Sequence, residues 1–185
     1  LYSGFPMVEN VVFVAHPNFS GGVGDGNCYF TAMALLLYGT SSAWLRVKAE
    51  HLYYLEKVLI NKDHVRHKFY KCQNAVDSTT NASGRGFKGA WEGEVNLWER
   101  LQIPNCWTSD EMCALTADVY GVFLVLYSFT TSATSEYGAD TVYDLRTYGA
   151  FNSRHLFAAF KGGNHFVPLV PNTFHHYEVR LPRIS

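Results

Sequence analysis

The sequence predicts an α+β fold in which N-terminal helices pack on a C-terminal, mainly antiparallel sheet. Apolar residues recur at helical spacing in several segments before residue 121, and the later runs are short, strand-like and separated by turn residues. Helices followed by a sheet are typical of the α+β class. With 48% hydrophobic residues, the 185-residue chain can form a substantial core, and we expect residues 1–185 to be one domain.

Composition and charge exclude several classes of protein. There are 15 Lys and Arg residues against 16 Asp and Glu, so no basic excess exists to bind a nucleic-acid backbone. The 16% aromatic content argues against disorder, and no uninterrupted apolar run approaches the roughly 18 residues of a membrane span. We expect a soluble monomer that binds neither nucleic acid nor membranes. The chain starts at Leu1 without a leader pattern, as expected for a piece of a longer chain such as a polyprotein.

The cysteines favour a reducing compartment such as the cytoplasm. All four are irregularly spaced and none forms a CxxC pair, so neither a disulfide framework nor a structural zinc site is indicated. We therefore expect no metal and no cofactor. The residues that would have to form a zinc site are His64, His67 and Cys72 with Cys106 or Cys113.

The first elements place a cysteine at the start of a helix. The β-branched run from Val11 to Val14 is typical of a short strand. Four of the six residues from Gly21 to Gly26 are glycine, which allows the backbone to approach a ligand closely. Apolar residues at helical spacing follow as far as Leu37, and Gly39 stands where a C-cap is expected. Cys28 is therefore predicted to lie at the N-terminus of this helix.

A second amphipathic helix is predicted next. Ser41 or Ser42 can cap it, and its apolar face runs from Trp44 to Val58 with His51 in between. We expect His51 to be a satisfied core histidine. The Ser, Thr, Asn and Gly residues of the stretch 77–89 then predict a mobile loop.

A third helix precedes the sheet. Thr108 and Glu111 form a T-x-x-E capping box, and apolar residues at helical spacing follow up to Gly121. The periodicity then changes to that of strands. The predicted strands are Val122 to Phe129, Thr141 to Leu145, His155 to Phe160, His165 to Val170 and Phe174 to Leu181.

Cys28 carries the strongest chemical signal in the sequence. A glycine-rich approach and a helix N-terminus favour the thiolate over the thiol, since the helix dipole and free N–H groups stabilise negative charge. The N–H groups of the turn Asp25, Gly26 and Asn27 can also face a developing oxyanion, as acyl transfer requires. The alternative is a buried cysteine that behaves as a small hydrophobe.

A catalytic thiolate needs a base, and His165 is the best of eight histidines. It follows Gly162, Gly163 and Asn164 and opens an apolar strand, where a rigid sheet would fix the imidazole ring. The remaining histidines fit other roles. His64 and His67 lie in a charged run that predicts a solvated face, His155 begins another strand, and only one of His175 and His176 can face inward.

Three segments, in order along the chain, resemble one family of enzymes. Gly24 to Phe30, with the sequence GDGNCYF, is followed by Ala32 and a Leu-rich helix. Trp107 to Ala117 precedes the strand Gly121 to Tyr127, and Gly163 to Phe166 reads GNHF. These segments are similar to the nucleophile, central and histidine motifs of the OTU (ovarian-tumour) cysteine proteases, a papain-like superfamily of deubiquitinases. The resemblance implies an OTU-like fold, and we expect a viral enzyme, from a nidovirus polyprotein.

One position departs from the family's pattern. Many members carry Asp or Asn two residues after the histidine, but this chain has Val167. Asn164 alternates to the opposite strand face, whereas Asn18, Asn172 and Glu178 could each reach the imidazole. Glu178 is our first choice for the third catalytic residue, because viral papain-like proteases place an acid on the strand after the histidine. A Cys–His dyad is the second choice.

The resemblance implies an isopeptidase that cleaves after the C-terminal Gly-Gly of ubiquitin or a ubiquitin-like modifier, through a thioester. Two alternatives stay open: a protease that processes its own polyprotein with the same site, and a non-catalytic ubiquitin-binding module with an OTU-like fold. In a viral setting the enzyme would act in the host cytoplasm and reduce innate immune signalling.

Substrate-binding residues are expected around the cleft. The ubiquitin tail is basic, so acidic side chains should receive it, and glycine-rich backbone should pass close to it. The acidic candidates are Glu92, Glu94, Asp110 and Glu111, and the other candidates are Trp107, Gly162, Gly163 and Asn164.

Overall fold

The computed structural model describes residues 13–19, 26–76, 97–105, 108, 111–130, 141–161 and 165–171. The helices are α1 (Cys28–Tyr38), α2 (Trp44–Ile60), α3 (His67–Val76), α4 (Leu97–Gln102) and α5 (Glu111–Tyr120). The strands are β1 (Phe13–Ala15), β2 (Val122–Thr130), β3 (Thr141–Tyr148), β4 (Arg154–Lys161) and β5 (His165–Pro171). Helices precede nearly the whole sheet, which confirms the predicted α+β class.

The sheet has the strand order β1-β5-β4-β2-β3 and is mainly antiparallel. Among the described strands only β2 and β4 pair in parallel, a pairing that the expectation of a mainly antiparallel sheet did not specify. The reason is the path of the chain. Strand β3 forms a hairpin with β2 on one side, and the turn at 149–153 then passes the start of β2, so that β4 begins beside Val122 on the other side.

Alternation along the strands gives both sheet faces an apolar character. Leu124, Leu156 and Phe166 belong to the main core, which they form with residues of the helices. Phe123 and Val125 point to the opposite face and pack with other apolar residues of the sheet. The helices, and with them the N-terminus of α1, therefore lie on one face of the sheet.

The helix around Cys28 is confirmed, but two predicted caps are wrong. Helix α1 ends at Gly39, whose φ of +73° is the left-handed C-cap conformation that glycine adopts readily. Neither Ser41 nor Ser42 caps α2. Thr40 instead accepts a hydrogen bond from the Ser42 N–H and starts a 3₁₀ turn that leads into the helix.

The predicted capping box of α5 does not form either. Within the described residues the helix begins at Glu111, whereas a capping box on Thr108 would start it two residues earlier. The Thr108 hydroxyl, however, is buried and makes no hydrogen bond within the part of the chain that the structure describes. The apolar periodicity was a sound indicator of the helix even though the capping motif was not.

Two helices were missed in the sequence. Helices α3 and α4 lie on either side of the predicted loop 77–89, which falls outside the described residues, as does the predicted strand Phe174 to Leu181. The charged run before α3 is not simply a solvated face. Arg66 pairs with Asp118 of α5 at 2.7 Å, and Asp118 also accepts a hydrogen bond from the Tyr70 hydroxyl.

Other expectations concern the cysteines, metals and membranes. None of Cys28, Cys72 and Cys113 is in a disulfide bond, and of the three only Cys72 is exposed. Among the described residues, no three His, Cys, Asp or Glu side chains come together in a way that could hold a metal ion. The same ranges contain no helix with both the length and the apolar character needed to cross a bilayer.

Candidate active site

Cys28 is the first residue of α1, as predicted, and only 3% of it is exposed. Gly26 before it has a φ of +82°, in the left-handed region that favours glycine. The Asn27 carbonyl accepts the first hydrogen bond of the helix, from the Thr31 N–H at 2.9 Å. Gly26 and Asn27 thus form a turn that ends at the nucleophile, and the third residue assigned to it, Asp25, lies outside the described residues.

The N-terminus of α1 is electrostatically suited to hold negative charge. The first N–H groups of a helix have no partner within the helix and carry partial positive charge. In α1 the side chain of the N-cap residue Asn27 makes no capping hydrogen bond, and the first turn contains no acidic residue. This environment favours a thiolate at Cys28 and could stabilise an oxyanion next to it.

His165 is the first residue of β5 and is half-buried. Pairing with Lys161 of β4 fixes its backbone in the sheet. The ring of Phe19 lies 5.7 Å from the imidazole, measured between ring centroids. Phe19 was missed in the sequence because it stands outside every recognised motif, at the end of the segment that follows β1.

The start of β5 packs against the start of α1. Tyr29 follows Cys28, Phe166 follows His165, and the Tyr29 and Phe166 rings meet edge to face with their centroids 4.9 Å apart. Consecutive Cα atoms are about 3.8 Å apart, so this contact brings the backbones at Cys28 and His165 into one region. Both aromatic residues are fully buried or nearly so, at 0% and 1% exposure.

The Tyr29 hydroxyl belongs to a buried hydrogen-bonded network. It bonds to the Thr116 hydroxyl of α5, and Thr116 in turn bonds to His51 Nε2 at 2.7 Å. Burial raises the pKa of Tyr29 well above its usual value, so the phenol stays protonated. The network joins α2, α5 and the first turn of α1 through long-range contacts that no local sequence motif predicts.

His51 is a satisfied core histidine, as predicted. Its Nδ1 lies 2.7 Å from the Val47 carbonyl, and a carbonyl only accepts, so Nδ1 carries the proton and Nε2 accepts from Thr116. Burial lowers the pKa of His51 to about 4. It is therefore neutral at physiological pH and has no access to a substrate.

The other histidines lie in surroundings unlike those of His165. His155 stacks among Phe123, Phe151 and Phe157, and burial lowers its pKa. The His67 Nδ1 lies 2.9 Å from the Val58 carbonyl and joins α3 to α2. His175 and His176 lie outside the described residues.

The candidates for the residue that orients His165 lie in different parts of the chain. Val167 is apolar and 8% exposed, and alternation places it on the same strand face as His165, where it offers no hydrogen bond to the imidazole. Asn18 is exposed and directly precedes Phe19, the residue in contact with the His165 ring. Glu178 and Asn172 lie outside the described residues.

Most of the predicted substrate-binding residues also lie outside the described residues. Glu111 is the first residue of α5, and its side chain is not part of the description. The predicted residues beyond the described ranges are Glu92, Glu94, Trp107, Asp110, Gly162, Gly163 and Asn164.

A contact with the loop after α4 was missed in the sequence. The Asn27 side-chain amide donates to Asn105 Oδ1 at 2.5 Å, across 78 positions of the chain. Asn105 has a φ of +56°, the left-handed conformation. A sequence signal for this position was the Pro104-Asn105 pair after an apolar helix, a combination that favours a turn but names no partner.

Comparison with known proteins identifies the fold. No protein-family model and no curated protein matches the chain. Among solved structures, the viral OTU domain protease of Dera Ghazi Khan virus aligns with a TM-score of 0.56 at 16% identity, over 86% of this chain and 81% of its own. The viral OTU domain protease of Farallon virus aligns with 0.54 at 24% identity, over 86% and 89%.

A third solved structure, the Hazara virus OTU bound to ubiquitin, aligns with a TM-score of 0.51 at 18% identity, over 87% of this chain and 81% of that one. The similarity in each case covers most of both chains. The chain therefore has the fold of the OTU domain proteases, the fold that its three sequence motifs predicted.

Proposed function

We propose that this chain is a cysteine isopeptidase that removes ubiquitin or a ubiquitin-like modifier by cleavage after the C-terminal Gly-Gly. The observation that carries the proposal is the contact between Tyr29 and Phe166, which brings the start of the Cys28 helix to the start of the His165 strand. The fold supports the reaction class. The ubiquitin bound to the Hazara virus OTU supports the choice of substrate.

In the first half of the proposed reaction, the isopeptide bond is exchanged for a thioester. The Cys28 thiolate attacks the carbonyl carbon of the terminal glycine, and the N–H groups of the turn at Asp25 to Asn27 stabilise the resulting oxyanion. The C–N bond then breaks. The leaving amine of the lysine side chain takes a proton from the His165 imidazolium, which becomes neutral.

In the second half, water hydrolyses the thioester. His165 accepts a proton from the water, and the hydroxide formed attacks the thioester carbonyl carbon. The C–S bond breaks and returns the thiolate to Cys28, while His165 keeps the proton that it took from the water. The products leave as an amine and a carboxylic acid, and the acid then gives its proton to the amine in solution, which yields an ammonium and a carboxylate. Atoms and charges therefore balance over one cycle.

Recognition of the modifier tail is assigned to residues around this centre. Two consecutive glycines fit beneath a narrow groove where larger side chains would clash, and acidic residues complement a basic tail. Gly162, Gly163 and Asn164 before His165, with Trp107 and Glu111, are the proposed contacts.

Replacement of Cys28 tests the proposal. Cys28→Ala should lower turnover of a ubiquitin C-terminal fluorogenic substrate by about a thousandfold or more, because the covalent step has no other nucleophile. The matched control is Cys72→Ser, which changes an exposed thiol on α3 and should leave turnover unchanged. Turnover retained in Cys28→Ala would contradict the assignment.

A ubiquitin probe with a reactive C-terminus separates an enzyme from a binding module. Covalent capture at Cys28, located by peptide mass spectrometry, is the expected result. Binding of ubiquitin without capture would instead identify a non-catalytic module. Cleavage of Gly-Gly peptides from the flanking polyprotein, without turnover of ubiquitin substrates, would identify a processing protease.

A further inference from the structure

The loop after α4 makes a direct contact with the residue that precedes the nucleophile. Asn27, which is 4% exposed, donates its side-chain N–H to Asn105 Oδ1 at 2.5 Å. Within the described ranges, Asn105 is the only residue other than glycine with a positive φ. Asparagine tolerates this conformation better than most residues with a side chain. The identity of residue 105 therefore fits both its backbone conformation and its contact with Asn27.

The base of this loop is anchored to the helical core. The Lys48 ammonium, on a residue that is only 6% exposed, donates to the Ile103 carbonyl at 2.5 Å. The same ammonium lies 5.4 Å from the centre of the Phe30 ring in α1. The Ile103 N–H in turn bonds to the Glu99 carbonyl and extends α4. Asn105 is thus presented from a segment fixed against both α2 and α1.

Asn27 does not take the role that its residue type normally has at this position, and its backbone, with φ −100° and ψ 3°, lies outside the extended conformation of a usual N-cap. An asparagine at an N-cap usually accepts a hydrogen bond from an N–H of the first helical turn. In α1 the Asn27 side chain makes no such bond and reaches Asn105 instead. The first turn that begins with Cys28 therefore keeps its N–H groups free of the N-cap side chain.

We propose that Asn105 is a positioning residue, which holds the Asn27 side chain away from the N-terminus of α1 so that the N–H groups there serve the Cys28 thiolate and the oxyanion. This inference rests on the proposed cysteine-protease function. A positioning role and a purely structural role predict different effects when the Asn105 side chain is removed. Loss of the Asn105 side chain lets Asn27 shift to the extended conformation and cap the helix, which stabilises α1 while it weakens the support for negative charge at the site.

Asn105→Gly is the test, because glycine keeps the positive φ and removes only the side chain. We expect kcat to fall by about tenfold with KM changed by less than about twofold, the size of effect that one capping hydrogen bond supports. The midpoint of the pH profile for alkylation of Cys28 by iodoacetamide should move to higher pH, read at the Cys28 peptide by mass spectrometry. The melting temperature should stay the same or rise.

A double-mutant cycle with Asn27→Ala isolates the route of the effect. If Asn105 acts through the Asn27 side chain, Asn105→Gly should change kcat and the alkylation midpoint little in the Asn27→Ala background. The matched control is Asn152→Gly, in the exposed turn between β3 and β4, which should behave as the unmodified protein.

Three results would overturn the inference: an unchanged kcat and midpoint in Asn105→Gly, an equal effect in both backgrounds, or a loss of activity that only follows a lower melting temperature. Failure of the proposed function would look different. In that case the unmodified protein would neither turn over the ubiquitin substrate nor be captured by the probe, and the alkylation midpoints alone would decide whether Asn105 controls the charge environment of Cys28.

Discussion

At the scale of single residues, the site depends on a thiol and an imidazole held by very different means. Cys28 is placed by local backbone, through a left-handed Gly26 and the start of α1. His165 is placed by pairing of β5 with β4 and by its contact with Phe19. The turn and the helix that place Cys28 are local features of the chain. The place of His165 in the fold depends instead on which strands pair in the sheet.

His165→Ala should lower turnover of the ubiquitin fluorogenic substrate about as far as Cys28→Ala does. Members of one catalytic unit are strongly non-additive, so loss of either residue disables the same step. His64→Ala, a change near the turn between α2 and α3, is the control and should keep full turnover. Near-normal turnover in His165→Ala would remove this histidine from the mechanism.

The group that orients the imidazole should contribute less than the imidazole itself. Asn18→Ala, Asn172→Ala and Glu178→Gln, compared under identical conditions, should rank the candidates, and we expect the largest loss from Glu178. Asn18 is a candidate because the next residue, Phe19, contacts the His165 ring. Full turnover in all three variants would identify a Cys28–His165 dyad.

The residues that sequence analysis missed share a physical property. Asn105 and Phe19 act through partners distant in the chain, and a side chain carries no sequence mark of which distant residue it will meet. At Val167 the sequence showed only that the acid expected two residues after His165 is absent. The position of Cys28 at a helix start could be predicted because its glycine turn and the helix itself are local features.

At the scale of elements, periodicity gave the long helices and the strands. Helices α3 and α4 were missed because α3 starts in a charged run and α4 has only six residues, too few for an amphipathic pattern. The parallel pairing of β2 with β4 was missed because it depends on which way the chain turns after β3. The turn at 149–153 decides this, and its geometry can be tested.

Gly149→Ala should destabilise the protein strongly. Gly149 has a φ of +92°, and a Cβ there would lie 2.1 Å from the Val122 carbonyl oxygen, a backbone atom that cannot move aside easily. Gly39→Ala is the matched comparison, since its φ is +73° but a Cβ would meet nothing within 4 Å. We expect about 1 kcal/mol for Gly39→Ala from the left-handed backbone alone, and at least about twice that for Gly149→Ala.

The measurement is the free energy of unfolding in urea for both variants and the unmodified protein. A clash at the start of β2 acts on the central pair of the sheet, so Gly149→Ala should also lower the yield of folded protein. Equal destabilisation by the two substitutions would show that the turn can move away from Val122 without cost.

At the scale of the whole molecule, stability should depend on pH through His51. Its pKa is about 4 in the folded protein, lowered by burial, against an ordinary value of 6.5. The unfolded chain therefore binds a proton at this residue as the pH falls below 6.5, and the folded protein does not until about pH 4. Stability from this group is complete above pH 6.5 and is lost between those two values, by on the order of 3 kcal/mol in total.

His51→Gln should reduce this dependence, because glutamine does not titrate and can still bond to Thr116 or Val47. Free energies of unfolding at pH 7 and pH 5 give the comparison, and the unmodified protein should lose more stability over that interval than the variant. Below this interval Glu50 also titrates. Burial raises the pKa of the Glu50 carboxyl, but the hydrogen bonds that it accepts from Tyr120, Tyr38 and Arg46 lower this pKa by a larger amount. The net shift of the pKa is therefore downward. Identical losses in both proteins would show that His51 is not the titrating group.

The pairing of β1 with β5 has a consequence for the timing of biosynthesis. Strand β1, which leads towards the nucleophile, is hydrogen-bonded to the strand that begins with His165, and the two are separated by nearly the whole described chain. At ribosomal rates of about 5–20 residues per second, the cysteine emerges on the order of ten seconds before the strand that carries its base. During that interval the nascent chain holds Cys28 without His165, so under the proposed function it cannot cleave modifiers from nearby proteins until β5 has been made and has joined β1.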